Sequence, residues 1–234
     1  MTAYDAAMAD ALSQARLALG SGDVPVGAVV LSGSSVIVNG TTLPIPPSGV
    51  IYVQNGACGQ GYVPLDPYSD PAGCADVSVS GSYAGNLTIA SQKDILVTDD
   101  VRRSGDFMLG LIADNFIRVY HPVVHNSPDA TGCTNSSGGP GNIEIDAAML
   151  SLQHSFTVDN YYCGSPLGTL TVNGTIAQKY RGPVGRGSSS SIVNGYIKSY
   201  SYDDRLRFRS PPHFVDPVQA AWRIQRYREQ LPPR

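Results

Sequence analysis

Asn86–Thr98 reads NLTIASQKDILVT: two short apolar runs, Leu87/Ile89 and Ile95/Leu96/Val97, joined by a polar bend. The same plan recurs in NIEIDAAMLSLQ (residues 142–153) and TLTVNGTIAQK (residues 169–179). In each run the apolar side chains alternate with polar ones, Leu87/Ile89 against Thr88, Ile143/Ile145 against Glu144, and Leu170/Val172 against Thr171. That period of two puts one set on an inner face and the other on an outer face of a strand. A unit of this size cannot bury its own apolar face, and stacking of successive units solves the problem because each layer covers the next. The repeat therefore predicts an all-β fold, a parallel β-helix (solenoid). The alternative is a β-sandwich or jelly roll, for which Asn173-Gly174 and Asn194-Gly195 supply two hairpin-type turn signals.

Working outward, strands are expected at residues 77–80, 86–90, 94–98, 107–113, 116–120, 142–146, 148–153, 156–159, 169–173, 175–179 and 192–199. Further apolar runs at Val24–Leu31, Val36–Val38 and Val50–Gln54 read as strands too. Composition agrees, because Gly, Pro, Ser, Thr, Asn and Tyr are plentiful while Lys, Glu and Met are scarce. Helices are confined to the two ends. Ala7, Met8, Ala11, Leu12, Ala15 and Leu19 make one amphipathic face over residues 4–19, ended by Gly20 and Gly22. Arg205–Arg209 alternates like a strand, Pro211-Pro212 breaks it, and Asp216-Pro217 opens a second helix, a cap for the open end of the stack.

Three segments follow from these changes of character: an opening over 1–42, the β-helix domain over 43–210, and a C-terminal cap helix and tail over 211–234. The Pro-rich LPIPPS (residues 43–48) marks the first junction. The net charge of −3 gives the body no general attraction to nucleic acid or anionic lipid. The apolar runs fall far short of the roughly 20 residues that cross a bilayer, so no membrane span is expected, and no basic region followed by an apolar stretch marks an export signal. The four cysteines lie in Gly, Asn and Pro-rich loops. Cys58 with Cys74, and Cys133 with Cys163, are expected as disulfides that staple those loops, which points to an oxidising compartment outside the cytoplasm.

The opening YDAAMADALSQARLALGSGDVPVGAVVL (residues 4–31) resembles the first helix and strand of the tRNA adenosine deaminase and cytidine deaminase families. That resemblance implies a zinc-held water, supplied by an H-x-E motif and P-C-x-x-C. Neither motif is present: none of His121, His125, His154 and His213 stands two residues before a Glu, and no two cysteines make C-x-x-C. An inactive deaminase-derived fusion is what this segment would then represent. Residues 49–230 resemble a domain of unassigned function in bacterial, especially actinobacterial, envelope proteins. The resemblance is carried by GVIYVQNG, SGSYAGNLTIASQKDILVTDDV, LGLIADNFIRVYHPV, AAMLSLQHSFTVDNY, GTLTVNGTIAQKYRGPVG and YSYDDRLRFRSPPHF. It implies a β-helical, extracytoplasmic, surface or pilus-associated role in structure or adhesion, with other envelope or pilus proteins as partners.

Candidates for chemistry are few. Glu144 and Asp146, two apart on a strand, project from one face, as acidic pairs do in hydrolases and lyases built on β-helices; a solvated outer face is the other reading. His154 is a further candidate for such an enzyme, and His121, His125 and His154 could converge with Asp129 or Asp159 into a metal or general-base site. Tyrosines 161, 162, 180, 196, 200 and 202 cluster late in the chain, suiting neighbouring-rung packing or, with Arg181 and Arg205, a glycan or protein surface. No cofactor motif, metal-ligand spacing, nucleophile elbow or phosphate loop is read, and the non-catalytic reading leads.

Overall fold

A computed structural model describes residues 27–38, 41–56, 58, 74–125, 132–188 and 191–214. The helices expected at 4–19 and after Asp216, and most of the loop between Cys58 and Cys74, lie outside the described residues. Within them the protein is all-β, with no α-helix.

Most strands align in three parallel stacks. Stack A holds β1 (Gly27–Gly33), the second halves of β5 (Val77–Tyr83) and β7 (Ile95–Arg103), then β12 (Ile143–Ile145), the first part of β15 (Pro166–Gln178), and β17 (Ser191–Tyr202). Stack B holds β4 (Val50–Val53), β6 (Leu87–Ser91), β8 (Leu109–Ala113), β13 (Ala148–Ser151) and the end of β15. Stack C joins the starts of β5 and β7 to β9 (Ile117–Val119) and β14 (Phe156–Val158).

Register turns the alternation of each strand into columns of like residues. Ile51, Ile89, Leu111, Met149 and Ile176 follow one another through stack B, and Val77, Ile95, Ile117 and Phe156 through stack C. All but Ile51 and Ile176, at the two ends, are fully buried. Each such side chain contributes about 1.5–3 kcal/mol on leaving water, so the columns supply the driving force that no single strand could. The three quoted segments occupy different places. Ile143–Leu150 and Leu170–Ala177 match residue for residue across stacks A and B, whereas the apolar runs of NLTIASQKDILVT lie in stacks B and C, one strand out of phase.

Antiparallel pairing is peripheral: β1 with β2 (Ser35–Val38), β2 with β3 (Thr41–Pro44), β10 (Val123–His125) with β11 (Cys133–Asn135), and β16 (Gly185–Ser188) with β17. Leu43 and Pro44 of the Pro-rich segment belong to β3 rather than to a connection. Asn173-Gly174, expected as a hairpin turn, runs through the middle of β15 where the strand passes from stack A to stack B. Glycine serves there because a Cβ on Gly174 would collide with the carbonyl of Ala147. Asn194-Gly195 likewise lies within β17, and Gly195 has φ +71°, a left-handed conformation that tolerates few other residues.

The segment after β17 corrects a further expectation. Asp204–Arg207 is a 3₁₀ turn, not a strand, because the Asp203 side chain accepts from the backbone N–H of Arg205 and caps it. From there the chain runs back as a strap along the stacks. Arg205 reaches Asp106 at 2.6 Å, Arg103 reaches Asp203 at 3.1 Å, and Thr88 Oγ1 donates to the carbonyl of Pro212. Pro211 and Phe214 fill the space that a side chain at Gly110 would need, and Pro212 does the same at Gly49. Residues 211–214 therefore lie against β6 and β8.

Candidate functional site

Backbone N–H groups at strand ends and bends need acceptors. Side chains from earlier segments of the chain supply several of them. Asp76 accepts from Asp94 N (3.2 Å), Asp94 from Phe116 N (3.0 Å), Asn86 from Met108 N (2.9 Å), Asp100 from Glu144 N (2.7 Å) and Asn142 from Thr169 N (2.8 Å). Short polar residues near the strand ends thus also bind neighbouring segments together.

Glu144 lies in β12, where Ile143 and Ile145 are buried, and Asp146 is the buried residue that follows the strand. Their oxygens are already engaged. Asn173 Nδ2 donates to Glu144 Oε1 at 3.0 Å and to Asp146 Oδ1 at 2.8 Å, and Asp146 Oδ2 accepts from Arg103 N at 2.9 Å. Arg102 lies 3.4 Å from Glu144 and 2.9 Å from Asp100. Ser201 Oγ donates to Asn173 Oδ1 at 2.7 Å, so a polar row crosses four strands, from β7 through β12 and β15 to β17. Tyr83 donates to the Asp146 carbonyl at 2.7 Å; burial first, and then the Asp146 charge, push its phenol pKa up. Where the strap meets this row a cavity of about 10 Å³ is left among Tyr83, Asp146, Asn173, Asp203 and Arg205, room for about one water.

His154 stands elsewhere, on the bend between β13 and β14. Its ring stacks on Phe116 at 4.7 Å and lies 6.2 Å from Tyr180. Burial, and secondarily the charge of Lys179, lower its pKa against a weaker pull from Asp114. None of these residues bonds to Glu144 or Asp146. Nor do the histidines converge. His121 is buried, with Nδ1 3.1 Å from the Asp159 carbonyl and Nε2 3.1 Å from Asn135 Oδ1, while His125 pairs across from Cys133. Asp129 lies outside the described residues.

Both expected disulfides are present, Cys58–Cys74 with Cα atoms 4.5 Å apart and Cys133–Cys163 at 5.5 Å. The second ties β11 to the loop after β14. His125, Cys133 and Cys163 bring potential metal ligands within 4.8 Å of one another, but the two sulfurs are bonded together and offer no thiolate.

Sequence reasoning missed an ionic cluster at the core's edge. Arg118, outward between Ile117 and Val119, lies 3.0 Å from Asp94 and 3.1 Å from both oxygens of Asp159. Its side chain is 6% exposed and that of Asp94 0%. The one available signal was an arginine inside the apolar run FIRVY, at a position that alternation assigns to solvent.

Among the described residues no helix is long and apolar enough to cross a membrane. Comparison of the chain with protein-family models, with curated proteins and with solved structures finds no match.

Proposed function

We propose that the three stacks wind as one parallel β-helix, and that the protein serves as a non-catalytic structural or adhesion domain at a bacterial surface, in contact with other envelope or pilus proteins. The observation that carries this reading is the use made of the polar side chains at the bends. Asp76, Asp94, Asp100, Asn86 and Asn142 each hold a backbone N–H of the next pass, and Asp146 holds that of Arg103, so these groups are spent on stacking. Columns of aliphatic residues tied at their corners give a stiff body that resists unraveling one turn at a time. The two disulfides, with sequence separations of 16 and 30, fit an oxidising location.

The test is a comparison of the native chain with Glu144→Gln/Asp146→Asn on a panel of neutral and acidic polysaccharides. A scaffold gives no turnover in either protein, and the double variant unfolds at lower denaturant because Asn173 and the Arg103 amide lose their charged acceptors. Turnover by the native chain that the double variant lacks would overturn the reading in favour of a carbohydrate-active enzyme. The location is checked by mass analysis without reductant: no alkylatable thiol is expected in the folded protein.

A further inference from the structure

The inward residues of the preceding strands of stack A are buried: Tyr83, Val101, then Ile143 and Ile145, then Leu170 and Val172. The last strand changes this. Register sets Lys198 beside Leu170, Tyr200 beside Val172 and Tyr202 beside Gly174, so the side chains of Lys198 and Tyr200 turn toward the end of the apolar column. Ile197, Ser199 and Ser201 take the outer face, as the Ser201 bond to Asn173 shows. Among the described residues nothing pairs with the far side of β17 beyond Gly195. Tyr200 and Tyr202 remain 44% and 51% exposed.

Arg181, on the bend after β15, brings its charge to the same place. It lowers the pKa of the Lys198 ammonium, after burial as the larger cause, and it opposes the burial that pushes the Tyr200 phenol up to about 12. Register places the exposed cation of Lys198 on the same side of β17 as the exposed rings of Tyr200 and Tyr202. Among the described residues Arg103, Arg118, Arg205 and Arg209 all pair with aspartates, whereas Arg181, Arg186 and Lys198 form no ion pair. Charge is also segregated along the chain. Residues 175–214 hold seven Lys and Arg against two Asp, while residues 93–174 hold four against nine acids.

We infer that the exposed end of the last pass, built from Arg181, Lys198, Tyr200 and Tyr202, binds a polysaccharide bearing carboxylates. Its cations take the carboxylates and its tyrosine rings lie against sugar rings, the amphipathic contact for which tyrosine is suited. A uronate polymer, with one charge per sugar, fits a small basic end on an otherwise acidic body better than a nucleic acid, whose denser charge the acidic flank repels. This inference rests on the proposed stacking and names the class of partner the scaffold would meet.

The experiment is affinity electrophoresis of the full, disulfide-intact chain through gels containing polygalacturonate, neutral dextran or oligothymidylate. Retardation by polygalacturonate alone is expected, with affinity falling about tenfold or more in Arg181→Gln/Lys198→Gln and a few-fold in Tyr202→Ala. Lys198→Arg should keep most of it. No retardation by polygalacturonate, equal retardation by dextran, tighter binding of oligothymidylate, or an unaffected double variant would each overturn the inference. Amide exchange at Leu170–Val172 reports the stacking separately, so absent binding with protected amides counts against this site alone.

Discussion

Two ionic clusters of similar composition lie on the outside of the stacks. Asp94–Arg118–Asp159 crosses stack C with side chains 0%, 6% and 13% exposed, whereas Asp100–Arg102–Glu144 crosses stack A at 33%, 54% and 33%. The contact distances are alike, about 3 Å, so the difference between them is solvent. In the first, charges out of water depend on each other, and removing one leaves the rest uncompensated. In the second, water screens the attraction and can replace either partner. Contact distance alone is therefore a poor guide to which cluster holds the protein together.

The largest effect should come from Arg118→Ala, which strands two carboxylates. A loss of about 3–5 kcal/mol is expected in urea unfolding, against about 0–1 kcal/mol for Arg102→Ala. Equal losses would remove the distinction drawn here. Removing the second disulfide by Cys133→Ser/Cys163→Ser comes next, with about 3 kcal/mol lost through the freed chain of the unfolded state and the same cooperative transition retained.

Acid and base should divide the clusters as well. Burial, outweighing Arg118 and the Phe116 N–H, holds the Asp94 carboxyl above its ordinary pKa. The folded chain therefore binds this proton more tightly than the unfolded chain does. Its contribution is fully present below about pH 3.9 and is lost as pH rises through the raised folded value. The stability difference between the native chain and Asp94→Asn should shift against the native chain over that window, measured as urea midpoints at stepped pH; a flat difference would refute the assignment. The smallest effect concerns His154, whose lowered pKa stabilises the fold above about pH 6.5 and ceases to do so as pH falls through the folded value. Lys179→Gln should move the NMR titration of this ring upward, and an unmoved titration would show that Lys179 does not act on it.

Much of the strand content was legible because alternation survives translation into structure: Leu87/Ile89, Ile143/Ile145 and Leu170/Val172 are all buried. Both cysteine pairings were legible as well, from loops rich in Gly, Asn and Pro. Thr88 shows where alternation fails. It points outward from β6 yet is 1% exposed, because the strap covers it with Pro212 from 124 residues away. The two-residue spacing of Glu144 and Asp146 could not show that their partners Asn173, Arg103 and Arg102 come from other strands, nor that His154 lies on the bend between β13 and β14. Arg205–Arg209 was misread because strand-like alternation over five residues cannot reveal that Asp203 will cap a 3₁₀ turn.

The sequence by itself determined which residues turn inward along each strand and which loops close through cysteines, since both depend on neighbours a few residues apart or on residue type. Only the tertiary structure decided the phase of the three similar segments, the path of the strap, and which of two like ionic clusters leaves water. Those outcomes depend on what arrives from distant parts of the chain to cover a given face, and no local pattern encodes that.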